Sequence, residues 1–175
     1  SSDVCSSDLV GYEMLAEAQR DMTPEEADRK RREIQQSFQR DERRRGMEAQ
    51  GWWLDRMLKS QAPLREKMTL FWHDHFATSA QKVREPILLV RQNQLFRTHA
   101  MGNFKELTHK ITQDGAMMLY LDLQNSKKGK PNENFAREVM ELFTLGQGNY
   151  TEEDIRQAAR AFTGYSINRL SGAVS

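Results

Sequence analysis

From Pro63 to Gly164 the apolar residues recur at intervals of three and four and almost never alternate. At about 100° per residue, that spacing predicts one helix after another. Several boundaries carry their own chemistry. Thr23-Pro24-Glu25-Glu26 has the form of a capping box with proline at the first helical position. It opens a charged helix to about Arg45 whose only large apolar residues are Ile34 and Phe38. Gly46 is expected to stop that helix, and Trp52-Trp53-Leu54 to begin the packed part. Pro63 starts a helix whose stripe is Leu64, Met68, Phe71 and His75, with Trp72 at its edge. Another is expected from Pro86 to a stop at Gly102. Asn103 caps a short helix carrying Phe104, Leu107 and Ile111, and Asp114 caps the next. After a surface loop at 124–131, Asn132 or a neighbour caps a helix closed by Gly146. Thr151 to Asp154 caps the last one, with Ile155, Ala158, Ala159 and Phe162 as its stripe and Gly164 as its end.

The fold class that follows is all-α, an irregular multi-helix bundle with no significant sheet. Residues 1–10 repeat the triplet Ser-Ser-Asp without any helical or strand period and read as a non-native prefix. Residues 11–46 form a charged, partly exposed helical region, 47–165 a packed helical domain, and 166–175 a truncated tail without an element of its own. The chain is therefore expected to be a fragment of a longer protein.

Composition narrows the classes of function. The chain has 175 residues, is 38% hydrophobic and 29% charged, and carries a net charge of +1. A nucleic-acid binder shows a basic excess or a segregated basic face, so no nucleic acid is expected as a partner. The runs at 29–32 and 43–45 sit in a stretch, Arg20 to Arg45, of nine basic and seven acidic residues. Such interspersion is that of a solvated helix face. No apolar run approaches the roughly 18 residues of a membrane span, so no transmembrane segment is expected. The only cysteine, Cys5, lies in the prefix, which leaves no thiol chemistry elsewhere.

Two constellations remain as candidates. His73 and His75 have the spacing of a His-x-His chelate. On a helix, residues two apart point about 200° away from each other and cannot share an ion. His75 is expected on the apolar stripe as a partly buried, hydrogen-bonded core histidine, and His73 opposite, with Glu66 and Thr69, as a surface or inter-helix one. The second is the stretch from Asn132 to Glu141. Asn134, Arg137, Glu138 and Glu141 cover one helical arc, Phe135, Val139, Leu142 and Phe143 the other. Arg137 is four residues from both Glu133 and Glu141 and can pair with either. One arginine among three carboxylates leaves surplus negative charge, which water, a buried network or a divalent metal would satisfy. A di-metal bundle needs two Glu-x-x-His pairs, and the chain has one, Glu106 with His109. Nucleophile elbows, dinucleotide turns and phosphate loops are absent from the sequence. No cofactor follows from these residues.

The strings "PLREKMTLFWHDHFATS", "RQNQLFRTHAMGNFKEL", "MLYLD" and "NENFAREVMELFTLGQGNYTEEDIRQAARAFTGY" resemble the bacterial domain-of-unknown-function family 1800. The resemblance is dense from about Trp52 to Tyr165. It implies a longer, mostly helical, exported or periplasmic protein, often encoded beside a sulfatase-like partner. The signature strings fall on His73 and His75, and on Asn132, Glu133, Asn134, Arg137, Glu138 and Glu141. Two functions are open. One is a helical scaffold or partner-binding module, in which these residues form a buried polar network. The other is a metal-assisted hydrolase, in which His73 or His75 meets Glu138 or Glu141 across two helices.

Overall fold

The computed structural model describes residues 23–168 and 173–174. The chain divides into two units, Ser1–Met47 and Glu48–Ser175. Helix α1, Pro24–Lys59, opens on the expected capping box: the Thr23 amide donates to Glu26 Oε2 at 2.9 Å and the Glu26 amide to Thr23 Oγ1 at 3.4 Å. Its charged half is a solvated face, with Arg44 and Arg45 both on Asp41 at 3.0 and 3.3 Å. Gly46 does not end this helix. It keeps ordinary helical dihedrals among good helix formers, and its cost of about 1 kcal/mol against alanine weakens a helix without stopping it. No residue of α1 is fully buried: Leu54 and Leu58 project outward, while Trp53 is half-buried.

The core of the second unit begins at α2, Pro63–His75, which packs on α4, Pro86–His99. A single turn, α3 (Ala80–Val83), lies between them in sequence. Helix α5, Phe104–Ile111, is capped by Asn103, whose side chain accepts from the Glu106 amide, and α6, Gly115–Tyr120, by Asp114, which accepts from the Met117 amide. Phe76, Phe96, Leu107, Ile111, Met117 and Phe135 meet in the main apolar cluster, drawn from five helical segments. Phe104, expected on the buried stripe of α5, stays 41% exposed beside Leu107 and Ile111, which are buried.

Helix α7, Glu133–Glu138, starts on Asn132 as expected but is short. From Val139 to Thr144 the backbone widens into a π-helical turn, and Gly146, at φ +80°, ends it. Both the Leu145 and Gly146 amides return to the Met140 carbonyl, at 2.8 and 3.2 Å. Helix α8, Glu152–Ala161, opens on a capping box between Thr151 and Asp154 and packs against α7 through Ile155, Ala159 and Ala136. The tail carries an element after all: β1, Ile167–Asn168, pairs antiparallel with β2, Ala173–Val174. That two-residue ladder leaves the class all-α. Among the described residues no helix is long and apolar enough to cross a membrane. The prefix and its Cys5 lie outside the described residues.

Candidate functional site

The seam between α2 and α4 is polar where the apolar pattern predicts otherwise. Leu64 and Phe71 are exposed, and the buried positions of α2 are Glu66 and Thr69. The reason lies on α4. Arg97 donates from Nε and Nη2 to the two oxygens of Glu66, at 2.9 and 2.7 Å, and from Nη1 to Asn93 Oδ1 at 2.6 Å. Glu66 is 4% exposed and Arg97 8%, so this forked pair is desolvated and each charge depends on the other. The Arg97 guanidinium holds the Glu66 carboxyl below the usual carboxylate range.

The network fixes His73 as well. Because an arginine can only donate, Asn93 presents its oxygen to Arg97 and its amide nitrogen to His73. His73 Nε2, 3.0 Å from Asn93 Nδ2, is therefore the acceptor, and the ring proton sits on Nδ1. The ring stands between Trp53 (4.5 Å between centroids) and the edge of Phe96 (4.7 Å). Burial first, and the Arg97 charge second, bring its pKa down to about 4, so His73 is neutral at pH 7. From α1, Arg56 reaches Glu66 at 3.6 Å, and the Trp52 ring lies 5.4 Å from the Arg97 guanidinium.

His75 has a different environment. Its Nε2 donates to the Phe143 carbonyl at 3.0 Å, which ties the end of α2 to the π turn. Its ring contacts Phe71, Trp72, Phe76, Phe104 and Phe143. The opposite-faces expectation holds: His73 is committed to α4 and His75 to the π turn. Both rings are half-buried, in line with a partly buried, hydrogen-bonded His75 and an inter-helix His73. Around His75, Phe71 and Phe104 stand 51% and 41% exposed on Trp72, whose indole nitrogen donates to the Ala100 carbonyl at 2.9 Å.

Two further groups sit apart from these. Gln92, fully buried, donates to Thr78 Oγ1 at 3.1 Å and to Asp114 Oδ2 at 2.7 Å, while its own Oε1 has no partner. Burial raises the pKa of Asp114 to about 6, against the opposing pull of the Met117 amide and Gln92.

The Asn132–Glu141 stretch is a surface cluster. Asn132 Nδ2 donates to the Asp122 carbonyl at 3.0 Å and Asn134 Nδ2 to the Leu121 carbonyl at 3.5 Å, anchoring the start of α7. Arg137 forks onto Glu152 of α8 at 2.9 and 2.8 Å, with Glu133 at 3.8 Å. The expected Arg137–Glu141 pair is replaced by this one. The π turn spreads the residues after Glu138 off the 3.6 period, and Glu141 accepts the Tyr150 hydroxyl instead. That bond raises the Tyr150 pKa, and burial, with Glu141 second, raises that of Glu138.

The structure does not bring the histidines and these carboxylates into one ligand set: each Nε2 has its own hydrogen-bond partner. Among the described residues, no three His, Cys, Asp or Glu side chains stand together as a metal would need. Glu66, Asn93 and Arg97 escape an apolar count, although a signal existed. The buried positions of α4, 88, 92, 93, 96 and 97, follow a helical stripe that includes three polar residues.

No curated protein and no solved structure was found to match the chain. One family does match, described as "Protein of unknown function (DUF1800)", over residues 7–174, past the Trp52–Tyr165 stretch on both sides. With its signature strings placed at the α2–α4 seam, the aromatic group around His75 and the α7–α8 contact, the chain belongs to the DUF1800 family.

Proposed function

We propose that the protein is a helical partner-binding module, and that the aromatic group around His75 is its docking surface. The observation that supports this is the pre-set geometry of Phe71 and Phe104. Both rings are about half exposed, yet neither is free: each rests on Trp72 and His75, at ring distances between 4.9 and 6.3 Å. Trp72 and His75 are in turn fixed by hydrogen bonds to the Ala100 and Phe143 carbonyls. Exposed aromatics held in one rotamer lose little entropy on binding, which is how protein interfaces use them. The buried Glu66–Arg97–Asn93–His73 chain serves as the rigid support. A metal-assisted hydrolase using His73 or His75 with Glu138 or Glu141 finds no such support, since among the described residues these side chains do not gather into one ligand set.

For the partner, the family resemblance suggests the sulfatase-like protein encoded nearby, with both proteins exported. The test is a titration of the purified neighbouring sulfatase-like protein with the full-length protein. Phe71→Ser with Phe104→Ser is expected to weaken binding at least tenfold at unchanged melting temperature. Equal affinity for wild type and double variant would remove this surface from the function, and absence of binding in the wild type would remove the partner.

A further inference from the structure

The last two turns of α1 hold to the α2–α4 seam by a small set of contacts. Trp53 covers His73 at 4.5 Å, Trp52 covers the Arg97 guanidinium at 5.4 Å, and Arg56 reaches Glu66 at 3.6 Å from a half-exposed position. Of the other apolar residues in these turns, Leu54 and Leu58 point into solvent, Leu58 at 86% exposure, and Met57 is half-buried. One cost is built in. The indole nitrogen of Trp53 is buried without a hydrogen-bond partner. Releasing the turns would return that N–H to water and recover a bond whose loss carries a penalty while they are closed. Beneath them the seam holds together by its own bonds, because Arg97 is forked onto Glu66 and bonded to Asn93, and His73 Nε2 is bonded to Asn93. The short link Ser60–Ala62, which contains one turn bond from the Ala62 amide to Ser60 Oγ, separates the turns from α2 and can serve as the hinge.

We infer that residues Trp52–Lys59 form a releasable strap over the α2–α4 seam, and that protonation of His73 opens it. The charge that acts on His73 is Arg97 of α4; Arg97 is held by Glu66 of α2, and Arg56 of α1 stands 3.6 Å from the same carboxylate. A proton on His73 Nε2 therefore adds positive charge beside Arg97 and faces the Asn93 amide, a donor whose oxygen Arg97 already holds. Opening relieves that charge by letting water reach the ring. The closed environment holds the His73 pKa at about 4, whereas a wetted imidazole titrates near 6.5. The strap is therefore favoured at neutral pH and loses ground as pH falls through that interval. This inference rests on the contacts of His73 and does not depend on the docking surface proposed above.

Hydrogen exchange on the full chain at pH 7.5 and pH 5.0 tests it, with rates corrected for their intrinsic pH dependence. Protection of the amides at 54–59 is expected to drop on the order of tenfold at the lower pH, while Phe96, Leu107 and Met117 keep theirs. In His73→Gln the difference between the two pH values should vanish. Trp53→Ala supplies an independent check: the strap amides should be weakly protected at both pH values with the core unchanged. The inference is overturned by strap protection that ignores pH, by an equal drop in His73→Gln, or by loss of protection in strap and core together. Wild-type protection of 54–59 in Trp53→Ala would overturn it as well.

Discussion

Glu66 and Arg97 show how much one pair of charges can decide. Each is buried against the other, so removing one leaves an uncompensated charge inside the protein, at a cost of about 3–5 kcal/mol. Glu66→Gln is therefore expected to lower the urea midpoint markedly. Glu152→Gln removes an equally well-shaped fork, with Arg137, that lies in solvent. It should shift the midpoint little, because water and salt already screen that pair. Comparable losses in the two variants would show that the α2–α4 pair is not the desolvated tie that its geometry implies. Neither pair was legible in the sequence. Arg137 has two carboxylates at helical spacing, at Glu133 and Glu141; it keeps the first at 3.8 Å, but its fork goes to a third on another helix. Glu66 and Arg97 are 31 residues apart and share no local signal.

At the scale of elements, two glycines that were both expected to stop a helix behave in opposite ways. Gly46 continues a helix, and Gly146 ends a π turn at φ +80°. Gly146→Ala should cost about 1–2 kcal/mol, because an L side chain resists the left-handed region, whereas Gly46→Ala should be neutral or stabilising. Thr151 caps α8 through a reciprocal bond with Asp154, at 3.2 Å for the Asp154 amide and 2.8 Å for the Thr151 amide. Thr151→Ala is expected to cost about 1 kcal/mol in thermal or chemical unfolding, and no measurable loss would mean that the cap is not formed in solution. Caps of this kind were readable in advance, since Thr23, Asn103, Asp114, Asn132 and Thr151 all act within three residues of themselves. The π turn was not, because widening the helix depends on what Phe143 and Glu141 meet.

For the whole molecule, two buried groups set opposite responses to pH. His73, with its pKa lowered to about 4, contributes stability that is present above 6.5 and lost as pH falls through 4. Asp114, raised to about 6, contributes stability that is present below 3.8 and lost as pH rises through 6. Each spans about 2 pK units, or about 3 kcal/mol, and the windows overlap. Between pH 6.5 and 4 the two therefore largely cancel, and wild-type unfolding free energy should be nearly flat. Asp114→Asn keeps the cap of α6 and removes one side of the balance, so its stability should fall on acidification over that interval. A flat profile in Asp114→Asn would contradict the buried, ionisable state assigned to this aspartate.

By itself, the sequence determined the all-α class, most helix starts and the opposed directions of His73 and His75, because capping bonds and the 3.6 period act within a few residues. It also placed the chain in its family through strings that are continuous in sequence. Only the tertiary structure decided which face of α2 is buried, where Arg137 pairs, and what each histidine touches. Those outcomes depend on groups 15 to 68 residues away, from Glu152 for Arg137 to Phe143 for His75. A hydrophobic count sees Leu64 and Phe71 as the natural inner face. Bidentate binding of Glu66 by Arg97 turned that face outward, and no local pattern records such a bond.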